Sequence, residues 1–426
     1  MKILDARSAR GRKELERLLA KRRGGLDFRT LREVLPVVEE VLRKGREPLA
    51  RFVRRFDGVS IPSKNLLVDP SLGPEPNVDL SFVRAFRLAR RRIEAYHRRQ
   101  LPRGFAFRDA LGVTFLEKPF PLESVGVYVP GGRAFYPSSL LMGTVPAQVA
   151  GVPRIVVATP PRAFAASPEL RWALRELGIR EVLLAGGAHG IAGLVSVAGC
   201  AKIVGPGNRF VAAAKHLVSA LVSVDLPAGP SEVLVVASGD APAGLVAADL
   251  LAQAEHDPDA VCLVFTNSER LAGAVAKETA AEIGAFAPSV RAVMRASLRR
   301  NGAIAVFPSI EDAVEAGRRA AVEHVQVMGK RAKKAGGALL ATAGALFLGS
   351  STPTVFGDYV AGPNHVLPTG GAGRSFSGLS VRDFLRWGRS VEVPAAAARR
   401  IGPAAATLAR FEGLVAHERS VLRRLP

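Results

Sequence analysis

Residues 124–151 read SVGVYVPGGRAFYPSSLLMGTVPAQVAG and carry the pattern that decides the fold. The β-branched run 124–129 predicts a buried strand, the glycines after it a turn, and the segment from residue 138 a helix with a serine cap. The order recurs in RIVVATP (154–160), EVLLAGG (181–187) and AKIVGPG (201–207). Strands that alternate with helices in this way are typical of a parallel sheet covered on both faces.

A second series of the same kind follows, with helical segments between several of its strands. Its strands are SEVLVVAS (231–238), AVCLVFT (260–266), AIAVFPS (303–309), HVQVM (324–328) and ALFLGS (345–350). The sequence therefore predicts an α/β protein with two incomplete, Rossmann-like, doubly wound domains and parallel sheets, plus helical N-terminal and C-terminal segments. The predicted division is a helical segment 1–24, a discontinuous α/β domain 25–123 plus 232–372, a second α/β domain 124–231, and a helical tail 373–426.

The composition indicates a globular protein without membrane-spanning segments. Hydrophobic residues make up 48% of 426 residues, enough for a sizeable core. The two cysteines lie in apolar surroundings, and the first 24 residues contain no apolar signal region, so we expect a cytoplasmic protein. The uncharged run 335–357 contains GSSTPT in its second half, and we predict a buried strand and loop there and no membrane span.

The net charge of +21 raises nucleic acid as a partner. The basic residues are nevertheless spread over many helical segments, and aromatic residues, which stack on bases, are only 6% of the chain. This pattern favours a solvated basic surface over a nucleic-acid function.

Several segments contain residues capable of chemistry. Three successive strands end in glycine turns, within 128–139, 183–190 and 203–208, where backbone N–H groups can approach a nucleotide-type ligand. Gln253 and His256 are spaced to share a helix face, and with Asp358 and His417 they offer ligands for Zn²⁺, although spacing alone does not bring them together. Glu323 and His324 are a possible acid–base pair, or else a surface ion pair on a strand.

The chain resembles the histidinol dehydrogenase family in a series of motifs that run in family order from residue 124 to residue 417. They include LLAGGAHGIAGL, KIVGPGNRF, LPAGPSEVLVVA, DLLAQAEHDPDA, EHVQV, GDYVAGPNHVLPT and FEGLVAH. The resemblance implies a zinc- and NAD-dependent enzyme of histidine biosynthesis that oxidises L-histidinol to L-histidine through the aldehyde, reducing two NAD⁺. It also implies a homodimer whose C-terminal tail crosses over, so that Glu412 and His417 would serve the partner's site.

The resemblance assigns roles residue by residue. Gln253, His256, Asp358 and His417 match the zinc ligands, and Glu323 and His324 match the catalytic pair. Substrate-contacting positions are matched by Ser231, Tyr359, His365 and Glu412, together with the zinc ligands and His324. Tyr128 and Asn208 match the NAD positions, whereas the third, normally Gln, is His189 in this chain.

Two alternatives stay open at this point. Relatives of this family oxidise small sulfonated diols on the same fold, which requires an anion pocket, whereas Glu412 and His365 favour the amine and imidazole of histidinol. A non-catalytic basic binding protein on the same scaffold would have lost catalytic residues, and every matched catalytic and zinc position is present.

Overall fold

The computed structural model of the protein describes residues 1–22, 27–131, 136–226 and 229–425. The strands in these residues are β1 (Lys2–Asp5), β2 (Leu67–Val68), β3 (Phe105–Arg108), β4 (Thr114–Pro121), β5 (Ser124–Tyr128), β6 (Arg154–Thr159), β7 (Glu181–Leu184), β8 (Lys202–Val204), β9 (Ser223–Val224), β10 (Glu232–Ala237), β11 (Val261–Thr266), β12 (Gly302–Val306), β13 (His324–Met328), β14 (Ala345–Leu348) and β15 (Leu385–Glu392).

The α-helices of the same residues lie between these strands and at both ends of the chain. They are α1 (Ala9–Arg22), α2 (Phe28–Lys44), α3 (Arg46–Phe52), α4 (Leu80–Arg98), α5 (Pro137–Ala150), α6 (Pro161–Ala166), α7 (Pro168–Glu176), α8 (Gly187–Ser196), α9 (Arg209–Val218), α10 (Ala243–Ala254), α11 (Glu269–Glu282), α12 (Pro288–Asn301), α13 (Ile310–Ala320), α14 (Lys330–Ala335), α15 (Thr354–Tyr359), α16 (Ala395–Phe411) and α17 (Val415–Leu422).

Two six-stranded sheets confirm the predicted fold class. The first has the order β2-β7-β6-β5-β8-β9 and is parallel except for β2, and the second has the order β1-β12-β11-β10-β13-β14 and is parallel throughout. In each sheet, five strands that are consecutive along the chain follow the order 3-2-1-4-5, which is the 3-2-1-4-5-6 order of the doubly wound dinucleotide-binding fold without its sixth strand. Their strands are almost wholly buried because helices cover both faces.

The structure differs from the predicted division at three places. The N-terminal segment was predicted to be helical, but it begins with β1, which pairs in parallel with β12 at the edge of the second sheet. The helices within 28–98 were predicted to pack with 232–372, but α2 and α4 pack on the helices of the first sheet and β2 pairs with β7. The tail 373–426 was predicted to be helical, but β15 pairs with β4, which also pairs with β3 in a small antiparallel sheet.

These differences have a common physical reason. A strand of four residues such as β1, or of two such as β2, contains too few side chains for an alternating pattern to be recognised. The apolar faces of α2 and α4 show that these helices are buried, but not which of two similar sheets they cover. Which sheet a helix covers depends on tertiary packing, because the two sheets offer surfaces of similar composition.

The run 335–357, predicted to be a buried strand and loop, forms a short 3-10 helix, the edge strand β14 and the first part of helix α15. The strand is confirmed but only partly buried, and the end of the predicted loop is helical. Among the residues that the structure describes, no helix combines the length and the apolar character that a bilayer crossing requires.

Close packing of α5 on β5 depends on Gly143. A Cβ atom at this position would lie 2.5 Å from Cγ1 of Val127, so we expect Gly143→Ala to lower the free energy of unfolding by about 1–3 kcal/mol. Gly273 is the matched control, since it is exposed within α11 and its Cβ would meet no heavy atom within 4 Å. Gly273→Ala should leave stability unchanged or raise it by up to about 1 kcal/mol. Urea unfolding of both variants measures the contrast, and equal effects would contradict this account of the packing.

Candidate functional site

The residues with catalytic potential lie at the amino-terminal edge of the second sheet. Ser231 immediately precedes β10 and Glu323 immediately precedes β13. Asp358 lies on α15, which contacts both β13 and α10. At the opposite, carboxyl-terminal edge of this sheet, the carboxylate of Asp240 accepts hydrogen bonds from the hydroxyl of Ser238 (2.6 Å) and the backbone N–H of Lys330 (2.9 Å). A negative charge at this position disfavours the phosphate that such crevices bind in other doubly wound sheets.

Glu323 and His324 lie side by side instead of on opposite faces. Ala321 adopts a left-handed conformation (φ 49°) at the end of α13, and β13 starts only at His324, so Glu323 sits in a bend where strand alternation does not apply. The Glu323 Oε2 atom is 3.6 Å from Nδ1 of His324, and both side chains are buried. The surface ion pair that the sequence left open is therefore ruled out.

His324 is flanked by a second carboxylate. Its Nε2 atom lies 3.4 Å from Oδ1 of Asp358. Burial disfavours the imidazolium form, but the charges of Glu323 and Asp358 outweigh burial and raise the pKa of His324 to about 10. Both ring nitrogens are buried and neither makes a hydrogen bond of good geometry, so both remain available to a ligand.

Asp358 is surrounded by imidazoles. Burial opposes its ionisation, yet a contact with His324 and the charges of His365 and His256 lower the pKa of its carboxyl group. His365 donates from Nδ1 to the backbone carbonyl of Asp358 at 3.1 Å, and burial lowers the pKa of its imidazole. The result is an ionised carboxylate surrounded by imidazole side chains, and carboxylate and imidazole groups are both ligands of Zn²⁺.

Gln253 and His256 lie at the end of α10, which contacts the helix carrying Asp358. The sequence predicts both residues on one helix face, but the helix ends at Ala254, before His256. His256 instead closes a tight turn, in which its N–H donates to the carbonyl of Gln253 (3.3 Å). The turn keeps the two side chains near each other. Nε2 of Gln253 is buried without a hydrogen-bond partner among the described residues, so this N–H donor can bind an acceptor atom of a ligand.

Glu412 and His417 are exposed on the tail, at the end of α16 and within α17. They form no hydrogen bond or ion pair with the other site residues in the ranges that the structure describes. Over those ranges no three His, Cys, Asp or Glu side chains are assembled into a metal cluster. One chain by itself thus assembles only part of the predicted ligand set.

The glycine turns meet at the carboxyl-terminal edge of the first sheet. Gly187 donates its backbone N–H to the hydroxyl of Tyr128 at 3.0 Å, and a side chain on Gly205 (φ 123°) would collide with the backbone oxygen of Tyr128. Burial raises the pKa of Tyr128 to about 12. This is the switch point between β5 and β8, where doubly wound sheets bind nucleotides. The turn after β5 also includes Gly132, which lies outside the described residues.

His189, predicted to contact the cofactor, is buried beside this switch point. Its Nε2 atom is 2.8 Å from Oδ2 of Asp57, and the same oxygen accepts the backbone N–H of Gly186 at 3.1 Å. Asn208 caps α9 by accepting hydrogen bonds from two backbone N–H groups. Both side chains therefore shape the turns, and the backbone N–H groups of Gly186 and Gly187 are held by Asp57 and by the hydroxyl of Tyr128.

Comparison with known proteins gives a consistent result. The family model described as histidinol dehydrogenase matches residues 21–425. A histidinol dehydrogenase of Bradyrhizobium diazoefficiens is 43% identical over 395 residues, covering 91% of this chain and 91% of that protein. The chain belongs to the histidinol dehydrogenase family. It is accordingly an oxidoreductase.

Two further relatives match over almost their whole length. The histidinol dehydrogenase of Gluconobacter oxydans is 39% identical over 432 residues, covering 100% of this chain and 99% of that protein. The crystal structure of histidinol dehydrogenase from Elizabethkingia anophelis aligns with a TM-score of 0.88 at 29% identity, covering 100% of this chain and 98% of that one. Both domains and the tail are therefore part of the shared architecture.

Histidinol dehydrogenase motifs thus form one cluster in space for most of the predicted residues. Glu323 contacts His324, His324 contacts Asp358, and His365 contacts the backbone of Asp358. Gln253, on α10, and His256, just beyond the end of α10, adjoin these residues. Tyr359 borders this cluster and is about half exposed. Burial and the charges of Asp358, Glu255 and Tyr136 raise the pKa of its phenol.

Sequence reasoning missed four polar residues near these sites. Asp57 binds His189, while Arg22 and Glu232 form a buried ion pair next to Glu323. Asp249 lies one helical turn before Gln253, and burial without a hydrogen-bond partner for Oδ2 raises its pKa to about 6. Spacing could have pointed to Asp249, which shares a helix face with Gln253.

The loop that carries His365 is anchored by a buried histidine. Asn364 donates from Nδ2 to the carbonyl of Met142 (2.8 Å) and to Nε2 of His97 on α4 (3.3 Å). His97 is fully buried and burial lowers its pKa to about 4, so the imidazole is neutral in the folded protein.

The low pKa of His97 makes stability depend on pH. The unfolded chain binds a proton near pH 6.5 and the folded chain near 4, so this stabilisation is complete above pH 6.5 and is lost as pH falls towards 4. The loss should reach about 3 kcal/mol. His97→Gln keeps an acceptor for Asn364 but cannot titrate, and its urea unfolding should weaken less than wild type between pH 7 and pH 4.5. The exposed His216→Gln serves as control; identical pH slopes for all three proteins would refute the assignment.

Proposed function

We propose that the protein oxidises L-histidinol to L-histidine through the aldehyde, transferring two hydrides to two molecules of NAD⁺. The observation that supports this best is the buried Glu323–His324–Asp358 constellation at the edge of the second sheet. An acid–base pair is what successive alcohol and aldehyde oxidations require, because each step removes a proton from oxygen while a hydride leaves carbon.

In the first oxidation, neutral His324 takes the proton of the substrate hydroxyl as hydride passes from carbon to NAD⁺, which gives the aldehyde. In the second, Glu323 takes a proton from the water that adds to the aldehyde carbon. The resulting hydrate then loses a hydride to a second NAD⁺ and becomes the carboxylate. The two bases serve different steps, although their side chains are only 3.6 Å apart.

The residues fit one zinc ion per subunit, with Gln253, His256 and Asp358 from one chain. The ionised carboxylate of Asp358, with imidazole side chains around it, supports this assignment. Zinc would supply a positive charge that orients the imidazole and amino nitrogens of the substrate and offsets the carboxylate of Asp358. With that carboxylate offset, His324 keeps only one strong anionic neighbour and its pKa falls toward the range of a general base.

NAD would lie at the carboxyl-terminal edge of the first sheet, near Tyr128, His189 and Asn208. This edge contains the switch point between β5 and β8, the place where doubly wound sheets bind nucleotides. His189 stands where relatives usually carry Gln, and its contact with Asp57 gives this edge an acidic partner. The two free cysteines, Cys200 and Cys262, are buried, which agrees with a cytoplasmic location.

A second copy of the chain would complete each site with Glu412 and His417. Helix α17 has eight residues and buries none of them, and Phe411 before it is 86% exposed. A helix this short is marginal by itself, and an exposed aromatic side chain next to it favours packing on another subunit. A homodimer would thus account for the exposed apolar side chains of the tail and would supply the fourth zinc ligand, His417.

The reaction is tested by NADH formation with L-histidinol. We expect two NADH per substrate, loss of turnover after chelation, and recovery when zinc is returned. Asp358→Asn should weaken zinc binding at least tenfold and abolish turnover, because it removes the ligand charge. Asp257→Asn is the control, since its exposed carboxylate only caps the N–H of Asp259. No turnover of histidinol by the zinc-loaded protein would reject the proposed substrate, and sulfonated diols would be assayed next.

The shared site is tested by mixing two inactive variants, Glu323→Gln and His417→Ala. Unfolding and refolding them together should restore activity, because a mixed dimer contains one site with Glu323 from one subunit and His417 from the other. Glu323→Gln mixed with Asp358→Asn is the control, as both lesions affect the same part of the site and no mixed site is intact. Failure of the first mixture, with dimers present, would place His417 in its own subunit's site.

A further inference from the structure

Arg22, the last residue of α1, forms a buried ion pair with Glu232 at the start of β10. Its Nε atom lies 2.9 Å from Oε1 and its Nη2 atom 2.7 Å from Oε2, which is a bidentate contact. The two side chains are only 3% and 2% exposed. A buried ion pair recovers the cost of desolvation only with such geometry, so its presence calls for a reason beyond stability.

The pair adjoins the catalytic carboxylate through two peptide groups. The backbone N–H of Glu232 donates to Oε2 of Glu323 at 2.7 Å, and the backbone N–H of Glu323 approaches Oε2 of Glu232 at 3.4 Å. Glu232 is the first residue of β10, and Glu323 is the last residue before the parallel neighbour β13. They lie opposite each other because Val233 pairs with His324. Each glutamate therefore binds the other's backbone, and Arg22 fixes the outer member.

This arrangement leaves the two oxygens of Glu323 unequal. Oε2 accepts the N–H of Glu232 and faces His324, whereas Oε1 accepts no hydrogen bond from any described residue. A carboxylate with one bound and one unbound oxygen presents a defined lone pair to water. The second carboxylate at this edge, that of Glu232, is offset by Arg22, so it neither repels Glu323 nor competes as a base.

We infer that Arg22 and Glu232 are positioning residues that aim Oε1 of Glu323 at the water attacking the aldehyde. The inference rests on the proposed function, in which Glu323 serves the second oxidation and His324 the first. Loss of the pair should therefore slow aldehyde oxidation selectively. A displacement of about 1 Å at a reacting group can cost about a hundredfold in rate.

The experiment measures the two oxidations separately in Arg22→Met and Arg22→Lys. Single-turnover NADH formation from L-histidinol reports the first step, and histidinal supplied directly reports the second. We expect Arg22→Met to lower kcat for histidinal by about 10- to 100-fold, with KM within about twofold and the first step within about threefold. Arg22→Lys keeps the charge without the bidentate contact and should fall between Arg22→Met and wild type.

Arg154→Met is the matched control, because Arg154 forms a bidentate pair with Glu181 (2.7 and 2.6 Å) on the first sheet. This pair is more exposed, at 37% and 29%, so Arg154→Met should lose less stability than Arg22→Met and should show no selective loss of the second step. A proportional fall of both steps in Arg22→Met, or no fall, would overturn the inference. Wild-type protein inactive on both substrates would instead reject the proposed function.

A crystal structure of Arg22→Met tests the same inference without activity. Oε2 of Glu323 should move away from the N–H of Glu232, and a contact kept at the original 2.7 Å would overturn the positioning role whatever the kinetics.

Discussion

The short connection between the two sheets determines where chemistry can occur. Strand β9 ends at Val224 and β10 begins at Glu232, so the chain passes from the carboxyl-terminal edge of one parallel sheet to the amino-terminal edge of the next within seven residues. Seven residues span about 25 Å at most. The glycine turns around Tyr128 and the acid–base pair at Glu323 are therefore held on adjoining edges. In the proposed reaction, the first sheet would bind the nucleotide and the second would supply the acid–base pair, so a hydride transfer would require both.

The elements that carry strong local patterns could be predicted from the sequence. Each of the nine segments between residues 124 and 350 that the sequence predicts as strands forms a strand of the two sheets, because turn chemistry and buried runs are local properties. The partners of those elements could not. Strand β1 and helix α2 belong to different sheets although they lie within the same 44 residues, and only the completed surfaces distinguish the sheets.

The site divides in the same way. Gln253, His256, Glu323, His324 and Asp358 occur in recognisable motifs. The structure brings Glu323, His324 and Asp358 into contact and places the other two at the end of α10, which contacts α15. The supporting contacts join residues that are remote in the chain: 132 positions separate Asp57 from His189 and 210 separate Arg22 from Glu232. No spacing rule connects such pairs, because their geometry arises only after both sheets have formed. The residues that touch a substrate are thus easier to predict than those that fix their orientation.

The electrostatic balance of the site explains why its parts are distributed over so many elements. Three carboxylates, from Glu232, Glu323 and Asp358, are buried near one edge, and each requires a cation or N–H donors to remain ionised there. Arg22 neutralises the first, and in the absence of metal the imidazolium of His324 is shared between the other two, which is why its pKa is so high. A cation beside Asp358, such as the zinc proposed above, would leave His324 with one anionic neighbour instead of two and would favour its neutral form. The proposed zinc and the proposed base are thereby linked through the carboxylate of Asp358, which contacts His324 directly.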